Sequence, residues 1–235
     1  MLSPLVEAIR AHVFSASKLH TDDTPVPVLQ PGRGTTKLGR LWTYVRDDRN
    51  SGDTAPAAVW FRYSPDRKGV HPQGHLKNFT GFLQADAYAG YESLYGSGKI
   101  KEVACWAHAR RPFYEFHAAT GSPIALEALQ RIAQLYAIED GIRGQPADER
   151  RLVRQARAGP LLTAFKAWLQ TQLMQLSRKA ELAKAIQYSL GRWAALTRYL
   201  EDGTLEIDNN IAENTIRPIA TTRSFCTSFI STCKH

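Results

Sequence analysis

Cysteine is scarce in this chain, with three in 235 residues, at positions 105, 226 and 233. An odd, widely spaced set in a chain large enough to build its own core excludes a disulfide-stapled secreted scaffold and points to a reducing interior. No two cysteines have the C-x-x-C spacing of a zinc knuckle. Long apolar runs are lacking as well. No window approaches the roughly 18 residues of a membrane span. The opening MLSPLVEAIRAHVF places Leu5, Ile9 and Val13 at helical spacing, but Glu7 and Arg10 interrupt it, so it has no signal-peptide core. Internal repeats and low-complexity tracts are also absent. Together these features predict a soluble, cytoplasmic protein with no membrane partner. Acidic residues fall short too: 22 Asp and Glu against 30 Lys and Arg leave a net charge of +8, which suits a polyanionic partner without naming one. Aromatic residues, by contrast, are plentiful. Nine Phe, nine Tyr and five Trp supply enough buriable surface to exclude a mainly disordered chain.

The periodicity changes along the chain. Between about residues 19 and 86 short β-branched and aromatic runs alternate with Gly, Pro, Asp and Asn: KLHTDDTPVPVL, GRLWTYVRDD, AAVWFRYS and GFLQADAY. The first three, joined by PGRGTTKLG and DDRNSGDTAP, read as an antiparallel meander. The segment PDRKGVHPQGHLKNFTG holds one short helix, and the fourth strand then pairs through a crossover. KIKEVACW reads as a fifth strand, followed by a helix from about Ala107. From about 122 to 202 the period is helical. Ile124, Ala128, Leu129, Ile132, Leu135 and Tyr136 share a face, as do Leu161, Phe165, Trp168, Leu169, Leu173 and Leu176 behind a Pro160 placed for a helix start. A third stripe runs from Leu182 through Ile186, Leu190, Trp193 and Leu196 to Leu200, with Gly203 as its expected C-cap. The intervening GIRGQPADERRLVRQARAG carries Arg143, Arg150, Arg151, Arg154 and Arg157. Such a run is either a solvated helix face or a phosphate-facing patch.

Chemistry is sought among acids that a fold can bring together. Asp22 and Asp23 open the first β-run, Asp86 closes the fourth, and Glu213 sits far downstream in DNNIAENTIR. Strands that end in carboxylates present them at a sheet edge, where ligands gather in α/β folds. Two or three carboxylates suit a pair of Mg²⁺ ions, which take oxygen ligands and support in-line phosphoryl displacement. Each acid also has an ordinary structural role open to it. Asp22 and Asp23 suit a turn or strand edge, Asp86 a helix N-cap, and Glu213 a capping box with Asn210 or an ion pair with Arg217.

Five segments in order, KLHTDDTPVPVL, GRLWTYVRDDR, GFLQADAYAGYESLY, ACWAHARRPFYE and DNNIAENTIRPIA, resemble the insertion-sequence-66 family of bacterial transposases from near the N-terminus to about Ala220. The resemblance implies an α/β fold: a ribonuclease H-like mixed sheet with an all-helical insertion before the helix that carries the third acid. The core would begin with residues 1–118, the insertion would span 119–203, and the Glu213 helix would occupy 204–220. It implies Asp22, Asp86 and Glu213 as a metal-binding catalytic triad for Mg²⁺, with Mn²⁺ able to substitute. Asp23 stands where the family often has Glu. DNA transposition would follow, in which water cleaves the phosphodiester at the transposon end and the freed 3′-hydroxyl attacks target DNA. Cys105 and His108 are similar to a C-x-x-H signature of related transposases and are expected behind the metal ligands. Arg110 and Arg111 on the next helix, with Arg150, Arg151 and Arg154 of the insertion, are expected to meet DNA phosphates, and Arg217 either to do so or to orient Glu213. The implied partners are transposon-end and target DNA, with a homo-oligomer or accessory proteins of the same element.

Two departures accompany the likeness. Family members carry a coiled coil and a small DNA-binding module ahead of the catalytic domain, and the tail TTRSFCTSFISTCKH, over 221–235, diverges and reads as a truncated, disordered end. The rival expectation is therefore a catalytically silent remnant that binds DNA non-specifically or associates with a full-length transposase.

Overall fold

A computed structural model describes residues 2–29, 36–177 and 179–221. The element order is α1 (Ser3–Phe14), β1 (Lys18–Leu29), β2 (Thr36–Arg46), β3 (Ala58–Ser64), α2 (Val70–His75), β4 (Gly81–Ala85), α3 (Glu92–Tyr95), β5 (Ile100–Ala104), α4 (Trp106–Thr120), α5 (Pro123–Ile142), α6 (Ala147–Val153), α7 (Gly159–Gln175), α8 (Glu181–Gly191), α9 (Trp193–Thr197) and α10 (Asn210–Thr221). The chain forms two compact units. Among the described residues, one takes in those from 2 to 47, from 57 to 101 and from 210 to 221, and the other those from 48 to 56 and from 102 to 209. The expected insertion over 119–203 lies inside the second unit, which also takes in α4. The 221–235 tail beyond Thr221, with Cys226 and Cys233, lies outside the described residues, as does most of the PGRGTTKLG connector.

The first unit is built on a mixed sheet of order β3-β2-β1-β4-β5. The meander read from the sequence is present: β2 pairs antiparallel with both β1 and β3, while β4 joins β1 in parallel after the crossover through α2. β1 is thus internal and covered on both faces, which is why its first four residues, including the polar Lys18, His20 and Thr21, are all buried. One face carries Leu19, Trp42, Tyr44 and Trp60, packed with Val13 of α1, Phe79 and Tyr91 into an aromatic core. Its rings meet mostly edge-on, as Phe14 does with Trp60 (86° between planes) and Tyr88 with Tyr91 (86°), the arrangement that ring quadrupoles favour. Polar atoms inside it are paired: Trp42 Nε1 donates to Ser64 Oγ at 2.7 Å and the Tyr44 hydroxyl meets His75 Nδ1 at 2.9 Å. Burial of His75, with Arg62, His71 and Arg10 nearby, drops its pKa from 6.5 to about 4. α10 packs on β1 and β2.

The second unit is helical. Trp106 is fully buried, stacks on Phe165, meets Trp193 edge-on and donates through Nε1 to the Leu196 carbonyl at 2.8 Å. Three details differ from the sequence reading. Pro160 stands in the first turn of α7, as expected, but α7 follows α6 without a break, through a π-helical turn over Arg154–Ala158 where the Gly159 N–H bonds the Arg154 carbonyl five residues back. The wider turn accommodates a residue that has no N–H to donate and whose ring crowds the preceding turn. The third stripe is not one helix, because Arg192 leaves helical backbone (φ −106°, ψ 15°) between α8 and α9 and pairs with Glu102. Gly203 is not a left-handed cap either. It lies where a Cβ would collide with the Ala147 carbonyl, so its missing side chain permits close approach to the start of α6.

Candidate active site

Strand alternation separates two neighbouring acids. Asp22 lies across from Thr43 and Asp23 across from Trp42, so they project to opposite faces of the sheet. The parallel ladder between β1 and β4 ends at His20 and Gln84. Two residues beyond the last rungs of that ladder come Asp22, which lies five residues into β1 rather than at its end, and Asp86, one residue past β4, so both follow the point where the parallel pairing stops, the side on which α/β folds place ligands. Asp86 follows the last residue of β4, and its Oδ1 accepts the Tyr88 N–H at 3.2 Å, which sets the carboxyl in an Asx turn. Asp86 is therefore not the helix N-cap that the sequence left open: the turn Ala89–Tyr91 is preceded by Tyr88 and has no side-chain cap. Glu213 lies in the first turn of α10, on the sheet's own unit.

The three acids feel one another. Asp22 has its pKa raised from 3.8 to about 7, chiefly by burial, with repulsion from Asp86, Asp23 and Glu213 adding to it and the hydrogen bond from the Asp23 N–H (2.8 Å) opposing it. Asp22 on β1 is thus within electrostatic reach of Asp86, just past β4, and of Glu213 on α10. Opposite Asp22, the Thr43 hydroxyl is buried with no hydrogen-bond partner among the described residues.

Asp23 has the contrary environment. Its side chain is only 1% exposed, yet two arginines neutralise it: Arg40 at 3.0 Å, and Arg67, which gives both Nε (3.0 Å) and Nη2 (2.9 Å). Arg67 Nη2 also lies 3.5 Å from Asp86 Oδ2, and its guanidinium covers the Tyr88 ring at 4.3 Å. Arg67 and Arg40 escaped the sequence reading. The contact between Arg67 and Asp23 spans 44 residues, and the PDRKG segment reads locally as an ordinary polar loop.

The arginines of the helical unit divide sharply. Arg150 and Arg154, expected to face phosphates, are 1% and 0% exposed, so this expectation is corrected. Arg154 makes a bidentate pair with Glu139 (2.8 and 2.7 Å) and donates to the carbonyls of Tyr199, Asp202 and Leu205. Arg150 pairs with Glu206 and bonds the Gly203 carbonyl. A guanidinium enclosed in this way is a structural cation. Arg110 and Arg111 are exposed on α4, Arg110 over Tyr114 at 5.5 Å, and Arg217 is exposed on α10. Arg151 is partly exposed, 3.6 Å from Asp148. Cys105 is buried ahead of α4 with its Sγ accepting the Asn209 N–H at 3.3 Å, and His108 is half-buried in the first turn of that helix. No described helix is long and apolar enough to cross a membrane.

Comparison with known proteins bears on this arrangement. The chain matches the transposase IS66 family over residues 1–233, and it belongs to that family. Three curated relatives from Sinorhizobium fredii, the uncharacterized proteins y4hP, y4jD and y4qI, are 41%, 39% and 37% identical over 93%, 94% and 94% of this chain. The chain spans 42%, 45% and 42% of their respective lengths.

Proposed function

We propose that the sheet unit is the catalytic core of a DNA transposase, that it is ribonuclease H-like, and that it cuts and joins DNA at transposon ends with divalent cations held by Asp22, Asp86 and Glu213. What supports the reading is that Asp22 and Asp86 both follow the end of the β1–β4 ladder, with Glu213 in electrostatic reach of Asp22, in a member of the transposase IS66 family. The strand order, with an antiparallel meander flanked by a parallel fourth strand, supports the fold reading.

The donor set fits Mg²⁺ or Mn²⁺. All three side chains offer hard oxygen atoms, their mutual repulsion calls for positive charge, and the buried Thr43 hydroxyl opposite Asp22 has hydrogen-bonding capacity left for the cation's retained water. When bound, such ions lower the pKa of an attacking water or hydroxyl and stabilise the leaving oxygen of an in-line displacement. The chain's own residues supply the positioning. The Asx turn fixes the Asp86 carboxyl, the Asp23 N–H holds one oxygen of Asp22, and α10, which carries Glu213, packs on β1 and β2. Arg110, Arg111 and Arg217 are exposed cations that would meet DNA phosphates, as would the partly exposed Arg151. Action on DNA in the cytoplasm is part of this proposal.

The test is metal-dependent nicking and joining of pre-cleaved end DNA by the wild-type chain and by Asp86→Asn. Activity confined to the wild type is the expected outcome. Equal activity in the two removes Asp86 from the chemistry.

A further inference from the structure

Arg67 has more contacts than a counter-ion for Asp23 requires, because Arg40 already pairs with that carboxylate at 3.0 Å. Its guanidinium is nevertheless pinned on three sides. Nε and Nη2 grip Asp23, the flat face lies on Tyr88, and Nη2 reaches Asp86 Oδ2 at 3.5 Å. The Tyr88 hydroxyl also donates to the Arg67 carbonyl, so backbone and head are held by the same ring. Nη1 makes no hydrogen bond to any described residue, and the side chain is 39% exposed. The result is a rigid planar cation beside one of the three clustered acids, with one edge of its fork open. A phosphodiester approaching Asp22, Asp86 and Glu213 meets negative charge, and a fixed guanidinium there offsets that repulsion while supplying directed donors.

We propose that Arg67 is a substrate-binding residue of this site: its Nη1 edge receives a phosphate oxygen of the DNA strand presented to the acid cluster, and Asp23, Arg40 and Tyr88 hold it in that position. Asp23 is then a positioning residue. This would give the second acid of the pair Asp22-Asp23 a role distinct from that of the first. The inference deepens the transposase reading and rests on it for the identity of the substrate.

The test measures equilibrium binding of a labelled 20-base-pair duplex to the full chain across a salt series, with and without Mg²⁺, for wild type, Arg67→Gln and Arg67→Lys. Melting curves confirm that each variant is folded, and Mn²⁺ binding is titrated in parallel. Arg67→Gln is expected to weaken DNA binding about tenfold or more and to reduce the magnitude of the log-log salt slope by about one, with Mn²⁺ binding retained. Arg67→Lys, which keeps the charge but not the fork, is expected to keep the slope and bind DNA more weakly than wild type. Wild-type affinity and slope in Arg67→Gln overturn the proposal. Wild-type affinity in Arg67→Lys does so as well and serves as the readout if the Gln variant does not fold. Failure of the wild type to bind Mn²⁺ counts against the triad reading instead, and the salt slopes still decide Arg67.

Discussion

The chain contains two concentrations of buried or half-buried charge, and they are organised in opposite ways. In the helical unit Arg150 and Arg154 are met by Glu139 and Glu206 and by four backbone carbonyls, so nearly every donor has an acceptor. In the sheet unit Asp22 is burdened by burial and by the like charges of Asp86, Asp23 and Glu213, which push its pKa up to about 7. The first arrangement ties α5 and α6 to the segment around Asp202–Glu206. The second costs folding free energy, because the native state raises the energy of ionised Asp22. Conserving charge in the first should therefore protect the fold, and removing it in the second should protect the fold at the expense of function.

The largest expected effect lies in the helical network. Glu139→Ala leaves Arg154 buried and short of its bidentate partner, and urea unfolding should show a loss of about 3–5 kcal/mol. Cation binding by the surviving folded fraction should be unchanged. A loss below about 1 kcal/mol would mean that the network is solvated in solution.

Asp22→Asn should act with the opposite sign. Because its folded pKa is raised above the unfolded 3.8, ionised Asp22 destabilises the fold progressively as pH rises from about 4 to 7, and the full penalty is present above that. The amide should therefore stabilise the cation-free protein near pH 8 by at least about 1 kcal/mol, and Mg²⁺ should no longer raise the melting temperature. Destabilisation by this variant would contradict the repulsive character assigned to the cluster.

A third effect distinguishes the units by pH. His75 is neutral in the folded state with its pKa depressed to about 4, so the unfolded chain binds a proton more readily. Stability of the sheet unit should decline as pH falls from about 6.5 to about 4, and His75→Gln should flatten the decline in that window. An unchanged profile in the variant assigns the acid sensitivity elsewhere. The smallest effect is expected for Arg151→Gln, where a surface pair with Asp148 is broken three residues before Arg154: less than about 0.5 kcal/mol by urea unfolding. A cost near that of Glu139→Ala would erase the distinction between exposed and enclosed arginines.

Much of this architecture is legible in the residues. The strand runs and the change to a 3.6-residue period locate the sheet and helices, because one depends on local alternation and the other on a continuous apolar stripe. Asp86 could be placed at a strand end from the same runs, whereas Asp22, read as opening its run, lies five residues into a strand that continues to Leu29. That Asp22 and Asp23 occupy different faces follows from alternation, but which face is packed and which holds Glu213 does not, since β1 is covered on both sides. Arg150 and Arg154 misled the reading because their partner Glu139 lies 15 residues before Arg154, and Glu206 lies 56 residues after Arg150. A charge run carries no mark of a buried partner so distant. Arg67 was invisible for the same reason.

The central claim is that Asp22, Asp86 and Glu213 form a divalent-cation site, and calorimetric titration of the wild-type chain and Asp86→Asn with Mn²⁺ tests it most directly. The expected result is saturable binding by the wild type that weakens at least about tenfold in the variant, the loss of roughly one charged ligand. Equal binding by the two proteins, or none by a folded wild type, would contradict it.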